Sequence, residues 1–393
     1  MQVESPNLGT LFIRAVVDRG DSGAATAIRF EHAAGAVGSI RGVRTSAVAA
    51  QEARMAELSG IELVGPASTT VTGSEVRMVV EASATADEAI GIALERTEQV
   101  QLVSNTISSG VSGVVGRTVA IQDGQIPNGL TSIATSSSGL TVQSNQLSAT
   151  LNGVGSACMA LFGTTTTIAS PTNLVTGNLF DCIDGTNPAI ALHLVATDAV
   201  EARANQFSRR AVNDPNQLHF QILAGATATS ITGLSIPAIV GGLSPGDAIG
   251  NTSLVIEENF FDASSMADTL ISILTTGPAT VAPRIVQNVF ELERTPRSAG
   301  VLALDQLVQV EFNTFRVRSA LGMVGPSAIA VGYIPTTPDR AEPPDLIGNL
   351  FVFNSGGAVP FYIGADVQDL PTFVPQQVAG NRFVLDSAMA PVL

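Results

Sequence analysis

The sequence contains no lysine and no tryptophan: all 19 basic residues are arginine, and the aromatics are 16 Phe and 2 Tyr. Without lysine there is no Schiff-base chemistry and no amine nucleophile. Codon use in a GC-rich genome produces such a gap, and so does selection against reactive surface amines. Sugar-processing clefts stack their substrates on amphipathic Trp and Tyr faces, which this chain scarcely has. Charged residues make up only 13%, and the net charge is −15. Phosphate neutralisation needs a basic patch, whereas the only adjacent basic pair is Arg209-Arg210. Neither nucleic acid nor an anionic membrane surface is an expected partner. The longest apolar runs, such as Ile236 to Leu243, have 8 residues, far short of a membrane span. The opening Met1-Gln-Val-Glu-Ser-Pro lacks a basic stretch followed by an apolar one. The expectation is release without a Sec signal, as part of a virion or particle, or otherwise residence in the cytoplasm.

What is present is a repeat. It is marked by Asn105, Asn145, Asn178, Asn205, Asn259, Asn288, Asn313, Asn349 and Asn381. Two residues after these stand Ile107, Leu147, Phe180, Phe207, Phe261, Phe290, Phe315, Phe351 and Phe383. Three residues before them stand Leu102, Val142, Val175, Ala202, Ile256, Ile285, Val310, Leu346 and Val378. Every flanking position is apolar. The spacings are 40, 33, 27, 54, 29, 25, 36 and 32, so the gap of 54 is expected to hide one more coil, at Thr229 to Ile236 with Leu234 in the Asn place. Between the asparagines the apolar pattern has period two, in bursts such as Leu218-His-Phe-Gln-Ile222 and Val308-Gln-Val-Glu-Phe312. That is a strand signal rather than a helical one.

Both flanking residues should face one core. Positions five apart on a straight strand face opposite ways, so the chain must bend between them. Asn suits the bend, because it tolerates left-handed backbone and can bond locally. Stacked bends would set asparagine amides over one another and phenylalanine rings over one another. The template resembles the right-handed parallel β-helix repeat of the pectin-lyase-like superfamily, over roughly residues 75 to 390. The resemblance implies an all-β solenoid with an asparagine ladder at the turn between two of its three sheets. It implies little about activity, since the superfamily includes polysaccharide lyases, glycosidases, phage tail spikes, adhesins and inactive proteins.

Residues 75–393 are therefore expected to form about ten or more coils, and residues 1–74 an N-terminal cap or attachment region. Within that cap Thr45 to Leu58 (TSAVAAQEARMAEL) reads as a helix, with Thr45 or Ser46 as its cap. Cys158 and Cys182 are 24 residues apart, close to one short coil, so they are candidates for a disulfide or for two buried thiols.

The resemblance implies calcium-binding acids with an Arg or Lys base in lyases, and clustered aspartates in hydrolases. Two residues before the asparagines the acids are Glu257 and Glu311, two coils apart. Asp198, Glu201 and Arg203 read as a solvated ion-pair patch. Asp181 and Asp184 flank Cys182, with Asp184-Gly185 a turn dipeptide, and Asp366 and Asp369 sit at a strand end. His193 and His219 are candidates to stack on adjacent coils, and His32 lies apart. No calcium loop, nucleophile elbow or phosphate-binding glycine pattern appears. No catalytic residue, metal or cofactor is expected. The favoured reading is a structural or receptor-binding solenoid, a homo-oligomer or a subunit of a larger assembly such as a phage-tail fibre or spike, with a surface glycan as one ligand class. The alternative is a polysaccharide lyase or glycosidase. A regular Thr array for flat-surface adhesion is the least favoured, since Thr164 to Thr167 is a single run.

Overall fold

A computed structural model describes residues 2–4, 11–31, 34–66, 68–124, 137–153, 156–184, 189–208, 218–225, 251–263, 269–276, 281–293, 299–304, 306–318, 329–334, 344–353, 359–363 and 378–385. Among them the chain is all β, with every strand pair parallel: a β-solenoid. One sheet has 12 strands, from Gln2–Glu4 through Glu98–Val103 and Val200–Arg203 to Val378–Ala379. Apart from Thr150–Leu151 and Ile183–Asp184, which pair only with each other, the remaining strands form two columns of parallel pairs. One column runs from Glu75–Val80 to Arg382–Leu385, the other from Thr85–Glu95 to Val359–Ile363. We call the three faces the first, second and third sheets, in the order the chain visits them in each coil.

The second and third sheets are joined at the N-terminal end. The strand Val43–Val64 pairs with Glu75–Val80 through residues 44–49 and with Thr85–Glu95 through residues 54–64. It turns between them at Gln51, whose φ is 53°. This strand contains the whole segment expected to be a helix, so the helix at 45–58 is corrected to β-structure. The Ala-rich composition favours a helix locally. Here the neighbouring strand Leu11–Glu31 and the strands of the next coil supply inter-strand partners for the backbone, and Ala47, Ala49 and Ala53 are small enough to pack between them. Thr45 is buried rather than capping. Val37–Arg41 and Ser68–Thr72 are strands of the first sheet, so solenoid strands are also present before residue 75.

The gap of 54 holds no extra coil. Val200–Arg203 pairs directly with Leu254–Glu257, and Leu218–Ala224 pairs directly with Thr269–Thr276. The intervening length is therefore an insertion between the third sheet and the first, and residues 229–236 with Leu234 lie outside the described residues.

The main core fills the inside of the solenoid. A second apolar cluster lies on the outer side of the third sheet, where Val119, Ala157, Ile190, Phe220, Ile271 and Ala299 follow one another in register. A parallel sheet buried on both faces needs nearly continuous apolar strands. This accounts for Ala157–Phe162 and Ala299–Leu304, in which every residue is buried.

Candidate functional site

The nine asparagines form an unbroken ladder at the corner between the first and second sheets, in the order Asn105, Asn145, Asn178, Asn205, Asn259, Asn288, Asn313, Asn349 and Asn381. Each backbone N–H, from Asn105 to Asn349, donates to Oδ1 of the asparagine one coil on, at 2.9–3.0 Å. Each Nδ2 donates to that same Oδ1 at 3.0–3.2 Å. Each Nδ2, Asn381 included, also donates to a carbonyl of the coil before, at 2.7–2.9 Å. From Asn145 onward that carbonyl belongs to the apolar residue three places before the preceding asparagine. Asn178 shows the full set: its Oδ1 accepts from the Asn145 N–H and Nδ2, its own N–H and Nδ2 donate to Asn205 Oδ1, and its Nδ2 also reaches Val142 O at 2.9 Å. The place three before the asparagine thus buries a side chain inward and has its carbonyl capped by the ladder. In the coil before Asn105, Ser74 takes the Asn place, donating its N–H to Asn105 Oδ1 at 3.0 Å.

The asparagine itself does not take the left-handed backbone. The residue before it does: Ser104, Ser144, Ala204, Glu258, Gln287 and Phe312 have φ of 51–56°, and Gly177, Gly348 and Gly380 have 63–67°. The bend and the bridge are divided between two adjacent residues, one turning the chain and the next spending its amide between coils.

Phe180, Phe207, Phe261, Phe290, Phe315, Phe351 and Phe383 stack with centroids 4.6–5.2 Å apart and planes within 12° of parallel. The strand spacing of about 4.8 Å sets this separation.

A second polar ladder occupies the opposite corner, between the third and first sheets. The Thr97 hydroxyl donates to Ser137 Oγ at 2.7 Å, and that of Thr197 donates to Asn251 Oδ1 at 2.7 Å. These residues stand eight places before Asn105, Asn145, Asn205 and Asn259, a periodic signal that an alignment on the asparagines alone can supply. Left-handed residues precede two of them, Arg96 and Ala196. Asp123 joins this corner. It occupies an inward-facing row between Leu94 and Leu161 and is fully buried. Its carboxylate accepts from the Ser137 N–H at 3.0 and 3.3 Å and from the Thr164 hydroxyl. Burial pushes its pKa from 3.8 up to about 6, against the opposing pull of these hydrogen bonds.

Cys158 and Cys182 are joined as a disulfide between the third sheet and the segment following Leu179–Phe180, with Cα atoms 6.1 Å apart. The other candidate groups do not converge. His219 pairs in register with Ala189 and His193 with Leu223, so the two histidines do not stack. His193 packs edge-on against Phe162. His32, Asp366 and Asp369 lie outside the described residues. Asp181 donates its backbone N–H to Leu147 O, and Asp184 pairs in register with Leu151. Of the expected ion-pair trio, Arg203 contacts Glu201 at 3.9 Å but Glu258 at 3.0 Å, whereas Asp198 accepts from Thr252.

The outer face of the first sheet changes character along the solenoid. In the earlier coils its side chains are mainly neutral, among them Thr70, Thr72, Gln101, Thr141 and Gln143. In the later ones they include Glu201, Arg203, Glu257, Arg284, Glu311 and Asp345. Glu257 and Glu311 share a row with Val286 between them, and Arg284 reaches Glu311 at 3.5 Å. Among the described residues no three His, Cys, Asp or Glu side chains gather as metal ligands. No protein-family model matches the chain, and neither a curated protein nor a solved structure does.

Proposed function

We propose that the chain is a non-catalytic β-helix component of a larger assembly, a fibre, spike or decoration of a phage tail, tail-like particle or other surface structure. In this reading it presents its first sheet to a receptor or a surface glycan. The observation that carries it is the spacing of the carboxylates on that sheet. Glu257 and Glu311 are separated by a whole coil bearing Val286, and an arginine sits on Glu311. At two strand spacings, about 10 Å, the two acids are too far apart to share a proton. The ladders' polar groups are likewise spent on each other. Localisation follows from this reading: association with the particle or surface structure that the chain helps to build.

Light scattering and electron microscopy of the full chain test the proposal. The expected result is a defined oligomer or a particle-bound state; a strict monomer that joins no assembly contradicts it. A lyase or glycosidase on the same scaffold is the second reading, favoured by Glu257 and Glu311 facing the same way. A panel of acidic polysaccharides, read by absorbance of unsaturated products and by reducing ends, separates the two. Activity lost in Glu311→Gln would replace the structural reading.

A further inference from the structure

The place before the ladder asparagine is a left-handed position repeated in coil after coil, so the chain supplies its own controls. Gly177, Gly348 and Gly380 suit it, and Ser104, Ser144 and Ala204 are small. Phe312 is neither: it is the bulkiest side chain at this place, with φ 55° and 56% of its surface exposed. A large L side chain is disfavoured in this backbone region, and an apolar one facing water has no hydration advantage. The ladder does not require it, because Asn313 makes the same bonds as its neighbours.

The surroundings accommodate the ring. Gly348 occupies the same place one coil on, and a Cβ there would lie 2.6 Å from two carbons of the Phe312 ring. The ring therefore rests on a glycine, where a Cβ would fit only if the ring moved aside, and its remaining surface faces solvent. Its neighbour Glu311 brings a carboxylate to this side of the solenoid, with Asp345 one coil on and Glu257 and Glu258 two coils back. Arg203 and Arg284 partly balance them.

We infer that Phe312, laid over Gly348 with Glu311 next to it in the chain, is a docking point for a basic segment of a protein partner, receiving an arginine or lysine side chain on its ring. A cation over an aromatic face is attracted by the ring quadrupole, and neighbouring carboxylates add to that attraction. This deepens the proposed binding role and rests on it, naming the partner's chemistry.

The test uses the full chain and a fluorescein-labelled peptide of alternating arginine and glycine, followed by anisotropy at about 150 mM salt. A chain of net charge −15 attracts any polycation, so the site is read from variants of unchanged charge. Phe312→Tyr keeps the π face and should bind as the wild type does. Phe312→Leu and Phe312→Gly should each bind about two- to fivefold more weakly. Thermal melts identify any variant that fails to fold, and the Tyr–Leu comparison still decides the matter if Phe312→Gly does. Equal binding by wild type and Phe312→Leu would overturn the inference. So would failure of the peptide to bind, or displacement of it by a neutral oligosaccharide, which would move the site to a glycan. An assembled particle with no Phe312-dependent binding would remove this docking point and leave the structural role standing.

Discussion

The two polar corners of the solenoid solve one problem with different strictness. In every coil that carries a ladder asparagine the strands of the first and second sheets are separated by two residues, as between Val103 and Thr106 or Ile347 and Leu350. At the opposite corner the connection varies from residues 96–97, between Glu95 and Glu98, to residues 225–253, between Ala224 and Leu254. Where nothing is inserted, the same side chain recurs, because each amide must meet an identical one a strand spacing away. Where insertions enter, the bridge is made by whichever hydroxyl, amide or carboxylate the local path brings in: Thr97 with Ser137, Asp123 with Thr164, Thr197 with Asn251. Uniformity of sequence thus tracks uniformity of chain path.

Cutting each corner in the same pair of coils separates them most widely. Asn259→Ala removes two bonds from Asn205 and those to Ala202 and Asn288. Buried donors lose their acceptor, at a cost of roughly 4 kcal/mol. Asn251→Ala removes two bonds from Thr197, costing roughly 2 kcal/mol. Denaturant midpoints of the two variants measure the difference, and equal shifts would abolish the distinction between the corners.

Asp123 probes the variable corner alone. Its folded pKa of about 6 lies above the ordinary 3.8, so the folded state binds the proton more tightly. Its contribution favours folding below the ordinary value and is lost as pH rises through about 6. Asp123→Asn should therefore stabilise the chain at pH 7 by roughly 3 kcal/mol, with the advantage disappearing below about pH 4. Paired melts across pH check this, and an advantage that grows on acidification would reverse the assignment.

The asparagines and phenylalanines are legible in the sequence because two residue types recur at constant offsets from each other. The division of labour within the bend is not, since Ser104, Glu258, Gln287 and Phe312 share backbone geometry but no chemistry. Local propensity misleads at 45–58: alanine favours a helix until strand partners lie on both sides. The span from 205 to 259 reads as two coils because spacing alone cannot separate a coil from an insertion. Asp123 is hidden because its partners, Ser137 and Thr164, come from across an insertion and from the next coil. Phe312 is visible only as the end of an alternating run, and its exposure follows from a backbone state that the letters do not encode.

Smaller changes at the asparagine corner show which residue of each pair turns the chain. Ser144→Gly relieves a left-handed serine and should stabilise by about 0.5–1 kcal/mol, while Gly177→Ala, one coil on and next to Asn178, should destabilise by a similar amount. Melting temperatures of the two variants should move in opposite directions.

Stacking across the longest spacing in the ladder is open to chemical trapping. Arg203 and Glu257 are register partners on adjacent strands of the first sheet, both turned outward. Their Cα atoms should be about 4.8 Å apart, within disulfide reach. In an Arg203→Cys/Glu257→Cys variant, mild oxidation followed by peptide mapping should give a bond between positions 203 and 257. If a further coil lay between them, the separation would double to nearly 10 Å and no such bond could form. Its absence in a folded variant would contradict the direct stacking of Asn205 on Asn259.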